Sequence, residues 1–575
     1  MKSIFAKAKS QANLQRNAFD LSYSNKFTAS PGMLLPCYVE EVNPNEHFVI
    51  RPQSFLRTMP LNTASFVRAK QNIEFYFVPM RVLYRQFQQF VVGTEYSISS
   101  ISGLNSYNGT LPTFKIQELL KVIQPGVKID NSGTYPSDIT GFPTGNGTLR
   151  LLDLLGYGVS YLIGKKTSAS TQPIWDFSDF KRDASVTPFR LLAYQKIYFD
   201  FYRNSLYELN NPNAYNIDSN NIGTTITASN VFSRGMCTLR YRNYKKDYFN
   251  AVSPYFQGAD YLTHQTTAPD LGQTISSSNL KVTSSTSTIT SGNANVYMFG
   301  NIPSSNFTSL SFSITNLRSA FALDKLYRLS IAAGDGDYGS QIRAHYGFNA
   351  VHDDWKATYI GGISEPIQIS EVLTTATTEQ APTGAISGRG LSANNSGSFT
   401  FDTKEHGIIM GIFSVVPECD YNSSMLSTFN QKINREHFFQ PEFQDLGLQP
   451  VSSFELDFGS NATSTTPQTL GYINRYSEYK TRVDIIHGEF QSFYQYAGYS
   501  RKNGTLSQWA APRQQTAVTP VTGVYNAFLK IRPNVFNNIS TVAFDGREST
   551  DIFLVDCHFN VSAVRPMSVS GLPSI

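Results

Sequence analysis

From residue 553 to 563 the chain alternates without a break. Phe553, Val555, Cys557, Phe559, Val561 and Ala563 take every second position, with Leu554, Asp556, His558, Asn560 and Ser562 between them. Strand side chains point to opposite faces with a period of two, so this pattern predicts one long strand with a buried and an open face. Pro566 stops it, having no backbone donor to offer a ladder. Such a strand needs partners, because a lone hairpin is marginal in water. The other strong strand signals lie far away in sequence, so strands from distant parts of the chain must pair. In 72–78, Ile73, Phe75 and Phe77 alternate with Glu74 and Tyr76, and 407–416 is a near-continuous apolar run, as expected of a strand covered on both faces.

Composition agrees with a β core in long loops. Among 575 residues there are 41 Phe and 32 Tyr, both strand-favouring, while only 16% are charged. Asn, Ser, Thr and Gly fill the spaces between apolar runs, as turns require. Three helical stretches interrupt the strands. Ile116, Leu119, Leu120 and Ile123 form one stripe, closed by Pro125-Gly126; 189–206 places Leu191, Tyr194, Tyr198, Phe201 and Tyr202 on one face; 317–333 carries Ala320, Leu323, Tyr327 and Ile331. These are expected to pack outside the β core. Segments 99–186, 273–293 and 374–398 are expected to be surface excursions, the last two being too poor in apolar area to offset ordering. No fixed-period repeat points to a solenoid or propeller.

The net charge of +4 is concentrated early: residues 1–100 hold 11 Lys and Arg against 6 Asp and Glu. Lys2, Lys7, Lys9 and Arg16 make residues 1–30 a basic arm, which either meets phosphate or is simply solvated. If the arm is helical, Lys2, Lys9 and Arg16 share one side. Arg240-Tyr-Arg-Asn-Tyr-Lys-Lys-Asp-Tyr248 interleaves Arg240, Arg242, Lys245 and Lys246 with Tyr. That mixture can bind single-stranded nucleic acid, but packing or a subunit contact, where Tyr and Arg are the usual anchors, is the favoured reading. Cys37, Cys237, Cys419 and Cys557 are scattered, which fits neither a zinc ribbon nor a disulfide framework and suits a reducing cytoplasm. No secretory signal is visible, and the longest apolar stretch, 149–163, is too short to span a membrane. The chain is expected to be soluble.

Catalytic signatures are absent. Gly334-Asp-Gly-Asp-Tyr-Gly339 satisfies G-x-G-x-x-G but follows a helix, where a dinucleotide site would leave a strand, so it reads as a helix-ending turn. His345, His352, Asp353 and Asp354 match no metal spacing, and no G-x-S-x-G or P-loop occurs. Glu436, Glu442 and Asp445 are the kind of carboxylates a glycosidase pairs, as any chain of this length offers. Neither a catalytic residue, a metal nor a cofactor is expected.

Several blocks occur in a telling order. They include Asn17-Ala-Phe-Asp-Leu-Ser22, Phe55-Leu-Arg-Thr-Met-Pro-Leu61, and Phe75-Tyr-Phe-Val-Pro-Met-Arg-Val-Leu-Tyr84, followed by Phe189–Tyr198 with Phe201–Asn204 and by Leu239–Phe249. Then come Leu317-Arg-Ser-Ala-Phe-Ala-Leu-Asp-Lys-Leu326, Gly361–Ile367, His406–Pro417, Phe439-Gln-Pro-Glu-Phe-Gln-Asp-Leu-Gly-Leu-Gln449 and Arg475-Tyr-Ser-Glu-Tyr-Lys480. In sequence these resemble the major capsid protein of the Microviridae, in its gokushovirus-like branch. Gly334-Asp-Gly-Asp-Tyr338 departs from the more familiar Gly-Gly-Thr-Arg-Tyr, and 99–186 aligns with nothing in that family.

The resemblance implies a mainly β fold, an eight-stranded antiparallel viral jelly roll with large loop and helical insertions, filling 31–575 as one domain behind the arm. It implies a T=1 icosahedral homo-oligomer of about 60 copies around a single-stranded DNA genome, with heterologous contacts that close by symmetry. Other phage structural or scaffolding proteins and a host-cell receptor are the further partners implied. Location would be the virion, after assembly in the bacterial cytoplasm, without membrane insertion. Lys2, Lys7, Lys9, Arg16, Arg240, Arg242, Lys245 and Lys246 are the candidate DNA-facing residues. Phe75, Phe77, Pro79, Tyr198, Phe201, Pro441, Phe443, Arg475, Tyr476 and Tyr479 are the candidate core or assembly residues. The rival reading is a β-rich surface adhesin or carbohydrate-binding protein, which predicts a secretory signal or repeats.

Overall fold

The computed structural model describes residues 16–61, 66–92, 110–127, 145–159, 165–167, 173–175, 183–218, 226–253, 338–348, 355–373, 386–394, 397–418, 420–422, 425–444, 447–456, 469–487 and 551–569, with isolated positions around 318–329, 458 and 529–541. Two compact units emerge, one from 1–254, 352–444 and 449–575, the other from 255–351 and 445–448. The second contributes the helix Tyr338–Tyr346, which carries His345. His352, Asp353, Asp354, most of 317–333 and all of 273–293 lie outside the described residues.

The first unit is mainly β, built from antiparallel sheets. Its strands are β1 (Asn17–Asp20), β2 (Tyr23–Ala29), β3 (Leu35–Val42), β4 (His47–Thr58), β5 (Ala69–Pro79), β6 (Thr358–Pro366), β7 (Gln368–Leu373), β8 (Ile386–Asn394), β9 (Phe399–Asp402), β10 (Gly407–Pro417) and β11 (Phe553–Arg565). One sheet centres on β11 and β4, paired from Phe553↔Thr58 to Val564↔His47. The other edge of β11 takes β2 and then β1, and the other edge of β4 takes β8 and β9, with β7 outermost. The second sheet runs β6–β5–β10–β3. Thus β5 and β6 pair although residues 80–357 separate them in the chain.

The expected strands at 72–78, 407–416 and 553–563 all form, each slightly longer than its apolar pattern. Strand β11 ends at Arg565, immediately before Pro566. Its alternate residues Val555, Cys557, Phe559, Val561 and Ala563 are buried. They meet the second sheet through aromatic contacts: Phe559 lies 5.2 Å from Tyr38 and 6.1 Å from Phe75, and Phe27 lies 5.3 Å from Phe413. Such edge-to-face and tilted pairs add to the burial that drives the sheets together.

The two outer faces differ. On the second sheet, Tyr76 is buried although it alternates with the core residues of β5. Phe201, Tyr202 and Tyr359 cover it, at 4.7, 5.9 and 5.5 Å. They belong to a helical insertion, α3 (Phe189–Ile197), and the π-turn Tyr198–Tyr202 that continues it, and to β6. The expected helix over 189–206 therefore ends at Tyr202. Its last turn is closed by i→i+5 bonds, which shift the phase and turn Phe201 outward, 40% exposed.

Two further helices, α1 (Ile116–Val127) and α2 (Gly145–Leu154), bury Leu119, Leu120, Ile123, Leu149, Leu151 and Leu152 in the main core. These parts of 99–186 are core rather than excursion, because their apolar stripes are satisfied only inside. The rim of α2 is anchored by a buried ion pair, Arg150 to Asp551 at 2.8 Å, and Asp551 also accepts from Thr28 and Ser30.

Residues 386–394 lie within the expected excursion 374–398, yet they form β8. Residues 17–29 of the expected arm are likewise strands in the first sheet, so the part that precedes them is 1–16, of which 1–15 lie outside the described residues. At Gly32 the backbone is left-handed (φ +74°), and a Cβ there would come within 2.5 Å of the Ile531 Cβ. Only glycine fits so close an approach.

Candidate assembly and nucleic-acid surfaces

The Arg/Tyr block at 240–248 is an extended segment clamped between two others. Arg240 O accepts from Leu34 N, Arg242 N donates to Gly32 O, and Arg242 O accepts from Ile531 N. Tyr241, Tyr244 and Tyr248 are buried by this arrangement, so their rings are not open to bases.

The two arginines of the block are spent inside the fold. Arg242 forks onto Glu74, with Nη1 at 2.7 Å and Nη2 at 3.2 Å from its two oxygens, and also donates to Ser414 Oγ. Arg240 donates to Gln195 Oε1 at 2.8 Å and lies over the Tyr198 and Phe199 rings. Beside it, Glu208 receives Tyr198 Oη at 2.5 Å and the buried Lys530 ammonium at 3.3 Å. Burial pushes the Glu208 carboxyl up, but Lys530, Tyr198 and Arg240 outweigh it and hold the group below its ordinary value. Lys245 and Lys246 remain exposed. Arg16 is exposed and donates to Asn45 O, while Lys2, Lys7 and Lys9 lie outside the described residues. The alternation of Arg240 and Arg242 with Tyr241 was the available sign that this block is extended and half inside.

A second constellation gathers 425–444 and 469–487. Lys432, with its side chain almost wholly buried, pairs with Glu478 at 2.9 Å and sits 4.0 Å above the Tyr479 ring and 4.8 Å from Phe429. Glu478 also receives Gln449 Nε2, and Gln449 Oε1 receives the Tyr476 N–H. That bond helps hold Tyr476 in a left-handed conformation (φ 62°), uncommon for so bulky a residue. From this anchor an aromatic layer spreads: Phe439 lies 5.1 Å from Tyr476, and Phe429 lies 5.1 Å from Tyr479. Arg475 lies over Phe443 and Tyr476, and Arg482 over Phe429.

The top of this layer is bare. Ile433 is 85% exposed, Phe438 50%, and Phe439 and Tyr479 47% each. Apolar residues clustered so openly and rimmed by polar groups mark an interaction surface. Among the expected core or assembly residues, Phe75, Phe77, Pro79, Tyr198 and Tyr476 are buried. Pro441 and Tyr479 are exposed here, Phe443 and Arg475 are half-buried here, and Phe201 is exposed on the second sheet.

Comparison with known proteins bears on what such a surface is for. The family model described as "Capsid protein (F protein)" matches residues 8–107 and 176–575. The chain belongs to this family. A relative named capsid protein VP1, from Chlamydia phage 1, is 22% identical over 631 aligned positions, covering 100% of this chain and 98% of its own. The capsid protein VP1 of Bdellovibrio phage phiMH2K is 25% identical over 271 positions, 46% of each chain. The stretch between the two parts of the capsid-family match holds α1 and α2, so this region of the core lies outside the shared pattern. As a capsid-family member the chain is a structural component of a virion, not an enzyme. No helix among the described residues is long and apolar enough to cross a membrane.

Proposed function

We propose that this capsid protein is an eight-stranded jelly roll that assembles into a T=1 icosahedral shell of about 60 copies around a single-stranded DNA genome. The observation that carries the fold is the strand order. One sheet reads β2–β11–β4–β8 and the other β3–β10–β5–β6, with all pairs antiparallel. These eight strands, four from each sheet and alternating between residues 23–79 and residues 358–565, stand in the order that two interleaved Greek keys require. The long insertions leave between β5 and β6 and between β10 and β11, where they can reach neighbours without disturbing the sandwich.

The aromatic layer around Ile433 and Tyr479 is the favoured subunit contact, because Tyr and Arg in a desolvated cluster are the usual interface anchors. The basic arm of Lys2, Lys7, Lys9 and Arg16, together with Lys245 and Lys246, is proposed to face the genome. Segment 273–293, by its Ser/Thr-rich composition, is proposed to face the host cell. Its deletion should leave assembly intact and reduce attachment.

The mass of particles purified from expressing cells tests the reading. About 60 copies of a 64.1 kDa chain give a protein mass of about 3.8 MDa. A chain that stays at 64.1 kDa, with its family's scaffolding partners supplied, contradicts it.

A further inference from the structure

Among the described residues, the outer face of the first sheet is the bare one. At the outward positions of β4 stand Arg51, Gln53, Phe55 and Arg57, and on the neighbouring β8 stand Arg389 and Leu391. Leu391 faces Arg57 across the ladder, so Arg389 falls two positions beyond Arg57 on the neighbouring strand. Arg51, Phe55, Arg57 and Arg389 thus form a row about 26 Å long, from a strand rise of about 3.3 Å per residue.

Each of the three arginines is exposed, and none has a carboxylate partner among the described residues. Phe55, between them, is 42% exposed. Lys26 extends the charge onto β2, 3.8 Å from Asp556, and the outward carboxylates Asp20 of β1 and Asp402 of β9 lie beyond the Arg51 end of the row. The chain therefore keeps an open row of cations on a rigid sheet while it neutralises Arg240 and Arg242 internally.

We propose that this row is a binding track for single-stranded nucleic acid, the phosphates lying along Arg51, Arg57 and Arg389 and a base stacking on Phe55. It rests on the reading of the protein as the shell around a single-stranded genome. A protein partner fits less well, since the centres of protein interfaces are depleted of unpaired charge. A cationic groove with an aromatic platform is the arrangement that holds single strands irrespective of sequence. Rigidity favours it too: the backbone under the row is hydrogen-bonded on both sides by β11 and by β8 and β9.

The test uses the full-length subunit, a fluorescent oligo-dT probe and a salt series. Each phosphate contact with single-stranded DNA contributes about 0.7 to the slope of log affinity against log salt, so R51Q/R57Q should lower the slope by about 1.4. The Phe55→Ala variant should weaken binding several-fold with the slope unchanged. K121Q/K404Q, which removes the same charge from exposed positions outside the row and outside the aromatic layer, should leave the slope near the wild-type value. Particles of R51Q/R57Q should form but protect less DNA from nuclease.

An unchanged slope, or an equal loss in K121Q/K404Q, would overturn the track. So would R51Q/R57Q subunits that bind the probe normally but no longer assemble, which would make this face a subunit contact. Wild-type chain that forms no shells even with the family's scaffolding partners supplied would remove the proposed shell and this inference with it.

Discussion

Glu208 is one of the carboxylates on which the packing of the π-turn depends. It sits between Tyr198, Lys530 and Arg240, and Lys530 is 2% exposed at its side chain. Replacing Glu208 with Gln keeps the shape but leaves a buried ammonium uncompensated, which should cost about 3 kcal/mol in chemical denaturation. The pH dependence follows from the direction of its shift. A carboxyl held below its ordinary value of 4.5 contributes stability that is complete above that value and lost as the pH falls further. The wild-type chain should therefore lose more stability than Glu208→Gln between about pH 5 and 3. Equal acid limbs in the two proteins would show that Glu208 is not ion-paired. This cluster was not legible in the sequence, since Glu208 and Lys530 are 322 positions apart and neither stands in a motif.

Among the elements, β11 offers the sharpest contrast between neighbouring positions. Phe559 is fully buried against Tyr23, Tyr38 and Phe75, whereas Leu554 is 42% exposed on the open face. Phe559→Ala should cost about 3–5 kcal/mol, through lost transfer energy and a cavity. Leu554→Ala should cost under about 1 kcal/mol, as expected of a surface change. Comparable losses at both positions, measured by urea melts, would mean that the strand register is wrong by one.

The aromatic layer predicts a different phenotype. Ile433→Asp should leave the subunit folded, with an unchanged melting temperature, and should abolish particles in sedimentation. Particles in wild-type yield would exclude this layer as a subunit contact. The elements also show where pattern reading works. Strands β5, β10 and β11 were legible because their inward residues are large and apolar. Strand β8 was not: its buried positions are Gly388, Gly390, Ser392 and Asn394. They face polar partners, with Gly390 N donating to Thr58 Oγ1 and Gln71 Nε2 to Ser392 Oγ, so no hydrophobic alternation marks the strand. Phe201 was misplaced for a related reason, because a π-turn breaks the 3.6-residue period on which a helical face is read.

For the whole molecule, the sequence disclosed the family and the β core, while the allocation of surfaces needed the third dimension. Charge and aromatic content left 240–248 open between nucleic acid and packing or a subunit contact, and the fold spends Arg240, Arg242 and the three tyrosines in packing while Lys245 and Lys246 stay exposed. The open cations Arg51, Arg57 and Arg389 lie on two strands that meet only in the sheet, and no sequence window contains all three.

Particles formed by the full-length chain should be reconstructed by electron cryomicroscopy. The account predicts a closed icosahedral shell of about 60 subunits, each a two-sheet sandwich, with the Ile433 layer buried between neighbours. Open aggregates or monomers under conditions that support assembly of the family, or a closed shell in which that layer stays exposed to solvent, would contradict it.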